Sequence, residues 1–155
     1  MNCGVRRWAN QMETLVSGRN YTIAHRFDKA LRLIRNALVE SELTVAGEFD
    51  ASGLLEHDGR KAERSRILLI DSPLLDFEAL ALDRAAGVFL PLHLLVSADG
   101  ERTQAFAANP VALFDGRLPL GAAGPMGRLG ARVALALESV LLEDHTNRRQ
   151  PEDEG

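Results

Sequence analysis

The residues of this chain able to do chemistry are scattered. Two acid pairs, Asp71 with Asp76 and Glu48 with Asp50, have residue types suited to acid–base work. The same types serve equally as helix caps and solvated carboxylates, and the sequence leaves both readings open. The four histidines, His25, His57, His93 and His145, lie far apart and make no ligand pair at helical spacing. No metal site is therefore expected. Nucleophilic hydrolysis would need an activated serine or cysteine beside a base. No Gly-x-Ser-x-Gly occurs, and the single cysteine is Cys3, in the N-terminal arm. Gly121, Gly124, Gly127 and Gly130 recur every third residue, but without the preceding strand and Gly-Lys-Ser/Thr of a phosphate loop. They point instead to close packing at a helix start or to a flexible linker. No catalytic residue and no cofactor is expected.

These residues must be placed by a chain of 155 residues and 16.9 kDa, near the usual size of one domain. Hydrophobic residues at 46% and charged residues at 26% fit an ordinary globular protein that needs no disulfide or metal to hold its core. No apolar run approaches the ~20 residues that span a bilayer. The start, Met1-Asn-Cys-Gly-Val-Arg-Arg-Trp, lacks an apolar run after its charges, so no secretory signal and no membrane contact are expected. One cysteine suits a reducing cytoplasm. Charge is uneven: residues 1–36 carry net +5 and residues 143–155 net −3. Arg26, Lys29, Arg32 and Arg35 form a basic face that could attract nucleic acid, although a solvated helix face is the better reading.

Periodicity divides the chain into a flexible arm (1–20), a single domain (21–142) and an acidic, disordered tail (143–155). A strand is expected over 21–27, then a helix with Asp28 at its N-cap. Phe27, Ala30, Leu31, Leu33, Ile34, Ala37 and Leu38 share one helix face, and Lys29, Arg32, Arg35, Asn36 and Glu40 the other. Residues 44–50 alternate as a strand, with Val45, Gly47 and Phe49 on one side. The apolar run 67–70 reads as a strand covered on both faces. Ser72-Pro73 opens a short helix, with Leu74, Phe77, Glu78 and Ala81 at helical spacing and Asp83 and Gly87 closing it. A strand over 88–96 places Phe89, His93 and Leu95 on one face, and Pro91 forces a late start, a bulge or an edge position. Asp99-Gly100 signals a hairpin to a strand over 102–107, and Asn109-Pro110 turns the chain away. A final helix over 126–142 buries Met126, Leu129, Val133, Ala136, Leu137 and Val140. The outcome is an α+β fold: a two-layer sandwich of about five mainly antiparallel strands, two long helices and a short extra one.

Five short stretches in order carry a family resemblance. They are Phe27-Asp-Lys-Ala-Leu, Gly47-Glu-Phe-Asp50, Ile67-Leu-Leu-Ile-Asp-Ser-Pro73, Leu90-Pro-Leu-His-Leu-Leu-Val96 and Ala108-Asn-Pro110. Residues 21–142 thereby resemble the bacterial and archaeal domain-of-unknown-function family numbered 302. The resemblance implies a β-α-β(4)-α fold of the TATA-binding-protein-like class, with members that form homodimers, and no agreed activity. Where many relatives read Asp-His, this chain has Asp50-Ala51. Where they read Asn-Pro it has Ser72-Pro73, and where they read Asn-Asp-Pro it has Ala108-Asn109-Pro110. An imidazole and a carboxylate are thus missing.

The expected function is a non-catalytic binding or assembly domain, cytoplasmic and homodimeric. The alternative is a small-molecule-binding protein or enzyme with a pocket near Asp50, Asp71, Ser72 and Asn109; weak nucleic-acid binding through the basic face ranks last. For the dimer, Ala131, Leu135 and Leu142 form a second apolar stripe on the final helix, opposite its core face. His93 could join that patch. Cover by Trp8 and Val16 of the arm is the intramolecular rival.

Overall fold

The structure, a computed structural model, describes residues 18–55, 63–109 and 123–147. In chain order these form β1 (Gly18–Ile23), α1 (Phe27–Glu40), β2 (Thr44–Asp50), β3 (Ser65–Asp71), α2 (Pro73–Leu82), β4 (Leu92–Asp99), β5 (Arg102–Ala108) and α3 (Ala123–Asn147). Short 3₁₀ turns occupy Ser52–Leu55 and Arg84–Phe89. The five strands make one antiparallel sheet in the order β1-β5-β4-β3-β2, with α1 and α3 on one face. This is the α+β two-layer sandwich with five strands, two long helices and a short one.

The core forms where alternate strand residues meet helix stripes. Ile23, Leu68, Ile70, Leu94 and Val96 from the sheet pack against Ile34 and Leu38 of α1 and Leu129, Val133 and Leu137 of α3. Both long helices bury the faces that their 3.6-residue period picks out. The hairpin turns at Gly100, whose φ of 60° suits the first central position of a two-residue turn.

Several expectations are corrected. The first strand runs Gly18–Ile23, earlier than 21–27, because pairing of Gly18 with Ala108 recruits residues with no alternation of their own. Arg26, not Asp28, holds the N-cap of α1, and Asp28 instead takes an ion pair from Arg64 at 2.9 Å. A bulge between Val45 and Gly47 turns β2 over, so Val45 joins the core while Phe49 faces away from it. Gly47 sits close to its neighbour there: a Cβ on it would meet Leu69 Cδ1 at 3.2 Å. Among the described residues, only one face of β3 is covered, burying Leu68 and Ile70. Ser72 is buried but makes no side-chain capping bond. In α2 the buried residues are Leu75 and Ala79, because a helix apolar nearly all round lets its packing against α3 choose the face. The strand expected over 88–96 begins only at Leu92. Phe89 lies in the preceding 3₁₀ turn, packed with Ala79, Ala86 and Met126. The arm up to residue 17, with Trp8 and Val16, and the tail from residue 148 lie outside the described residues.

Candidate functional site

β1 is an edge strand, and its inward side chains are Arg19, Tyr21 and Ile23. Helix α3 passes over β1 and β5 and presents Gly127, Gly130, Ala131 and Ala134 to them. These residues carry too little side chain to close the gap. A groove of about 610 Å³ results, floored by Tyr21 and Ala107 and bounded by Leu135 and by Ala108 and Asn109 at the end of β5.

Two polar features mark it. Tyr21 is 6% exposed, and its hydroxyl is buried without a hydrogen-bond partner among the described residues. A buried hydroxyl so placed forfeits about 1–3 kcal/mol. At the rim, the Arg19 guanidinium donates from Nη1 to Glu138 Oε1 at 3.1 Å. Small apolar walls with a few polar groups at fixed places are what small-molecule sites have in common. The open hollow beside Phe77, Leu80 and Asp83 has no buried polar group to direct a ligand.

Of the residues singled out by sequence, Asn109, Ala131 and Leu135 come together in this groove. Asp50, Asp71 and Ser72 do not join them. Asp50 lies opposite Arg66, at the far end of the sheet from Asp71, and accepts a bond from the Ser52 amide at 2.9 Å. Bonds from Ser52 hold its carboxyl below the usual carboxylate range. Asp71 ends β3 on the same side of the sheet as Asn109, but β4 lies between them, roughly 10 Å across at ~4.8 Å per strand. Leu135 and Leu142 are 63% and 66% exposed, and Ala131 is exposed beside them. His93 is exposed on the uncovered face of the sheet, across the molecule from that helix stripe, so the two share no surface. Sequence reasoning missed Tyr21, Arg19, Ala134 and Glu138. The one available signal was the glycine repeat, which ends in Gly127 and Gly130 on the groove wall.

Elsewhere, Asp76 stands beside Asp71 in the first turn of α2. Burial, then the neighbouring Asp71 charge, pushes the Asp76 carboxyl up to about 6. The uncovered sheet face carries one apolar row, Phe49–Ile67–Leu95–Phe106, whose end residues are 58% and 41% exposed. The basic helix face is engaged at both ends: Arg26 pairs with Glu101 and Arg35 with Glu48. Among the described residues, no three His, Cys, Asp or Glu side chains are placed to hold a metal ion, and no helix is long and apolar enough to cross a membrane.

The chain matches the family described as Domain of unknown function DUF302 over residues 19–138. No curated protein matches it. Among solved structures it is similar to the crystal structure of an uncharacterized conserved protein DUF302 from Bacillus stearothermophilus, with a TM-score of 0.69 and 17% identity. That likeness covers 78% of this chain and 95% of the other, and at this identity it speaks for the fold. With the family match spanning most of the sequence, the chain belongs to the DUF302 family.

Proposed function

We propose that this protein is a small-molecule-binding domain whose ligand lies in the groove between β1, β5 and α3. The observation that carries the reading is the groove of about 610 Å³ itself, floored by Tyr21 and Ala107, walled by glycine and alanine and rimmed by the Arg19–Glu138 pair. Binding is favoured over catalysis because the charged side chains lining the groove, Arg19 and Glu138, are already paired. A cytoplasmic setting goes with this reading, supported by a single cysteine in the whole chain. Nile red, a neutral dye that brightens in apolar surroundings, tests it. Saturable brightening that disappears in Ala134→Leu, with the thermal midpoint kept, supports the groove. Brightening that survives the substitution assigns the dye to another surface.

A homodimer is the second reading, favoured by two exposed apolar surfaces. One is the stripe with Ala131, Leu135 and Leu142; the other is the row Phe49–Ile67–Leu95–Phe106. The row is nearly palindromic. A two-fold axis lying between β3 and β4 would set Phe49 on Phe106 and Ile67 on Leu95 of the second copy. Sedimentation of the wild type, Leu135→Asp and Phe106→Asp at tens of micromolar separates the surfaces. Dissociation by one substitution names its surface, and a monomeric wild type removes the dimer.

A further inference from the structure

Resting on the groove reading, we infer that Trp8 of the N-terminal arm is the groove's own occupant, a built-in competitor that a small molecule must displace. The tether favours this surface. The chain enters the described residues at Gly18, and the next residue, Arg19, already lines the groove. Ten positions separate Trp8 from Gly18, a tether with a root-mean-square span of about 17 Å. The groove's wall along α3, from Gly127 to Glu138, is about 16 Å long at a rise of 1.5 Å per residue. Trp8 can therefore reach any point of it. A tether so short keeps its end group at an effective concentration in the millimolar range.

The arm and the groove also match in chemistry. A hollow of about 610 Å³ walled by Ala107, Gly130, Ala131 and Ala134 has room for an indole against small apolar side chains. An aromatic ring gains most from such a wall, because its large apolar area leaves water. Leu135 at the groove's edge is exposed, and Leu15 and Val16, close to the base of the tether, are the arm's residues suited to cover it. Charge agrees. Arg6 and Arg7 stand beside Trp8, and the second half of α3 carries Glu138, Glu143 and Asp144. With the indole in the groove, the two guanidiniums stay in water near those acids. A ligand then competes with the arm: an arm seated half of the time or more raises the ligand's apparent Kd about twofold or more.

Trp8 is the chain's one tryptophan, so its fluorescence reads its own surroundings. In the intact chain, its emission should lie at shorter wavelength than in the same protein unfolded by urea, and should resist quenching by acrylamide. Ala134→Leu, which fills the groove, and Leu135→Asp, at its exposed edge, should each move the emission toward that of the unfolded chain with the thermal midpoint kept. Phe106→Asp, on the opposite face of the sheet, should leave it unchanged. Trp8→Ala should tighten Nile red binding about twofold or more. Unfolded-like emission from the folded wild type overturns the inference, as does a buried emission that neither groove variant moves. A shift that appears only as protein concentration is raised assigns the arm to a second copy and overturns it too. Nile red affinity unchanged by Trp8→Ala removes the competition and leaves the groove reading standing. No saturable brightening in either protein ends the groove reading, and the inference with it.

Discussion

Arg19 on the first strand and Glu138 on the last helix meet at 3.1 Å, and their ion pair bridges the rim of the groove that Tyr21 floors. Both side chains keep substantial contact with water, so the pair adds little stability, on the order of 0–1 kcal/mol. Its consequence is electrostatic neutrality at the mouth. Glu138→Gln should therefore fold with nearly unchanged stability yet give the groove an unpaired guanidinium. The expected outcome is a gain in cyclohexanecarboxylate binding of about tenfold, measured by titration, that fades as salt is raised. Unchanged carboxylate binding would mean that Arg19 does not face the ligand.

Tyr21→Phe should stabilise the free protein. The substitution keeps the ring in the core and removes a hydroxyl that lacks a hydrogen-bond partner among the described residues. The gain expected in urea denaturation is about 1 kcal/mol. Most substitutions of buried residues do the reverse. A loss of stability here would show that the hydroxyl is bonded in solution.

Asp76 makes a pH prediction whose sign follows from its raised value. In the unfolded chain its carboxyl gives up its proton near the ordinary 3.8, but in the folded protein it holds it up to about 6. Stability from this group is thus fully present below about pH 4 and is lost as pH rises through 6. Asp76→Asn should be more stable than wild type at about pH 7.5, by about 1 kcal/mol after allowing for partial exposure, and no more stable at about pH 4. Thermal midpoints across that range check it. A constant difference at both pH values would put the effect elsewhere than in titration.

Glu42 closes α1 with φ of 59°, while the Leu43 amide reaches back to the Leu38 carbonyl at 2.9 Å. That left-handed position favours glycine over a residue with a Cβ. Glu42→Gly should raise stability by about 0.5–1 kcal/mol in denaturant titration. Destabilisation would mean that Glu42 makes contacts worth more than the strain.

Much of the fold was legible because its signals are local. The stripes of α1 and α3, the turn at Gly100 and the alternation of β5 each reside in a few neighbouring residues. What escaped depends on partners distant in sequence. The start of β1 is set by pairing with β5, and the turnover of β2 by a bulge that no pattern in residues 44–50 announces. Ser72-Pro73 correctly marked a helix start, yet the serine is buried without capping it. The groove was the least legible part. Tyr21 reads as an ordinary core residue, and the groove above it exists only through the passage of α3, more than 100 positions later. Asp50 and Asn109 were placed near one pocket at the stretches that carry the family resemblance, and the sheet separates them from end to end.

The most direct test of the ligand groove is the amide spectrum of wild type and Ala134→Leu, each titrated with cyclohexanone. The account predicts saturating shifts at Gly127, Gly130 and Ala131 in the wild type, and none in the variant, whose added side chain fills the groove while the helix is kept. Saturating shifts of equal size in both proteins, or no saturating shift in the wild type, would contradict it.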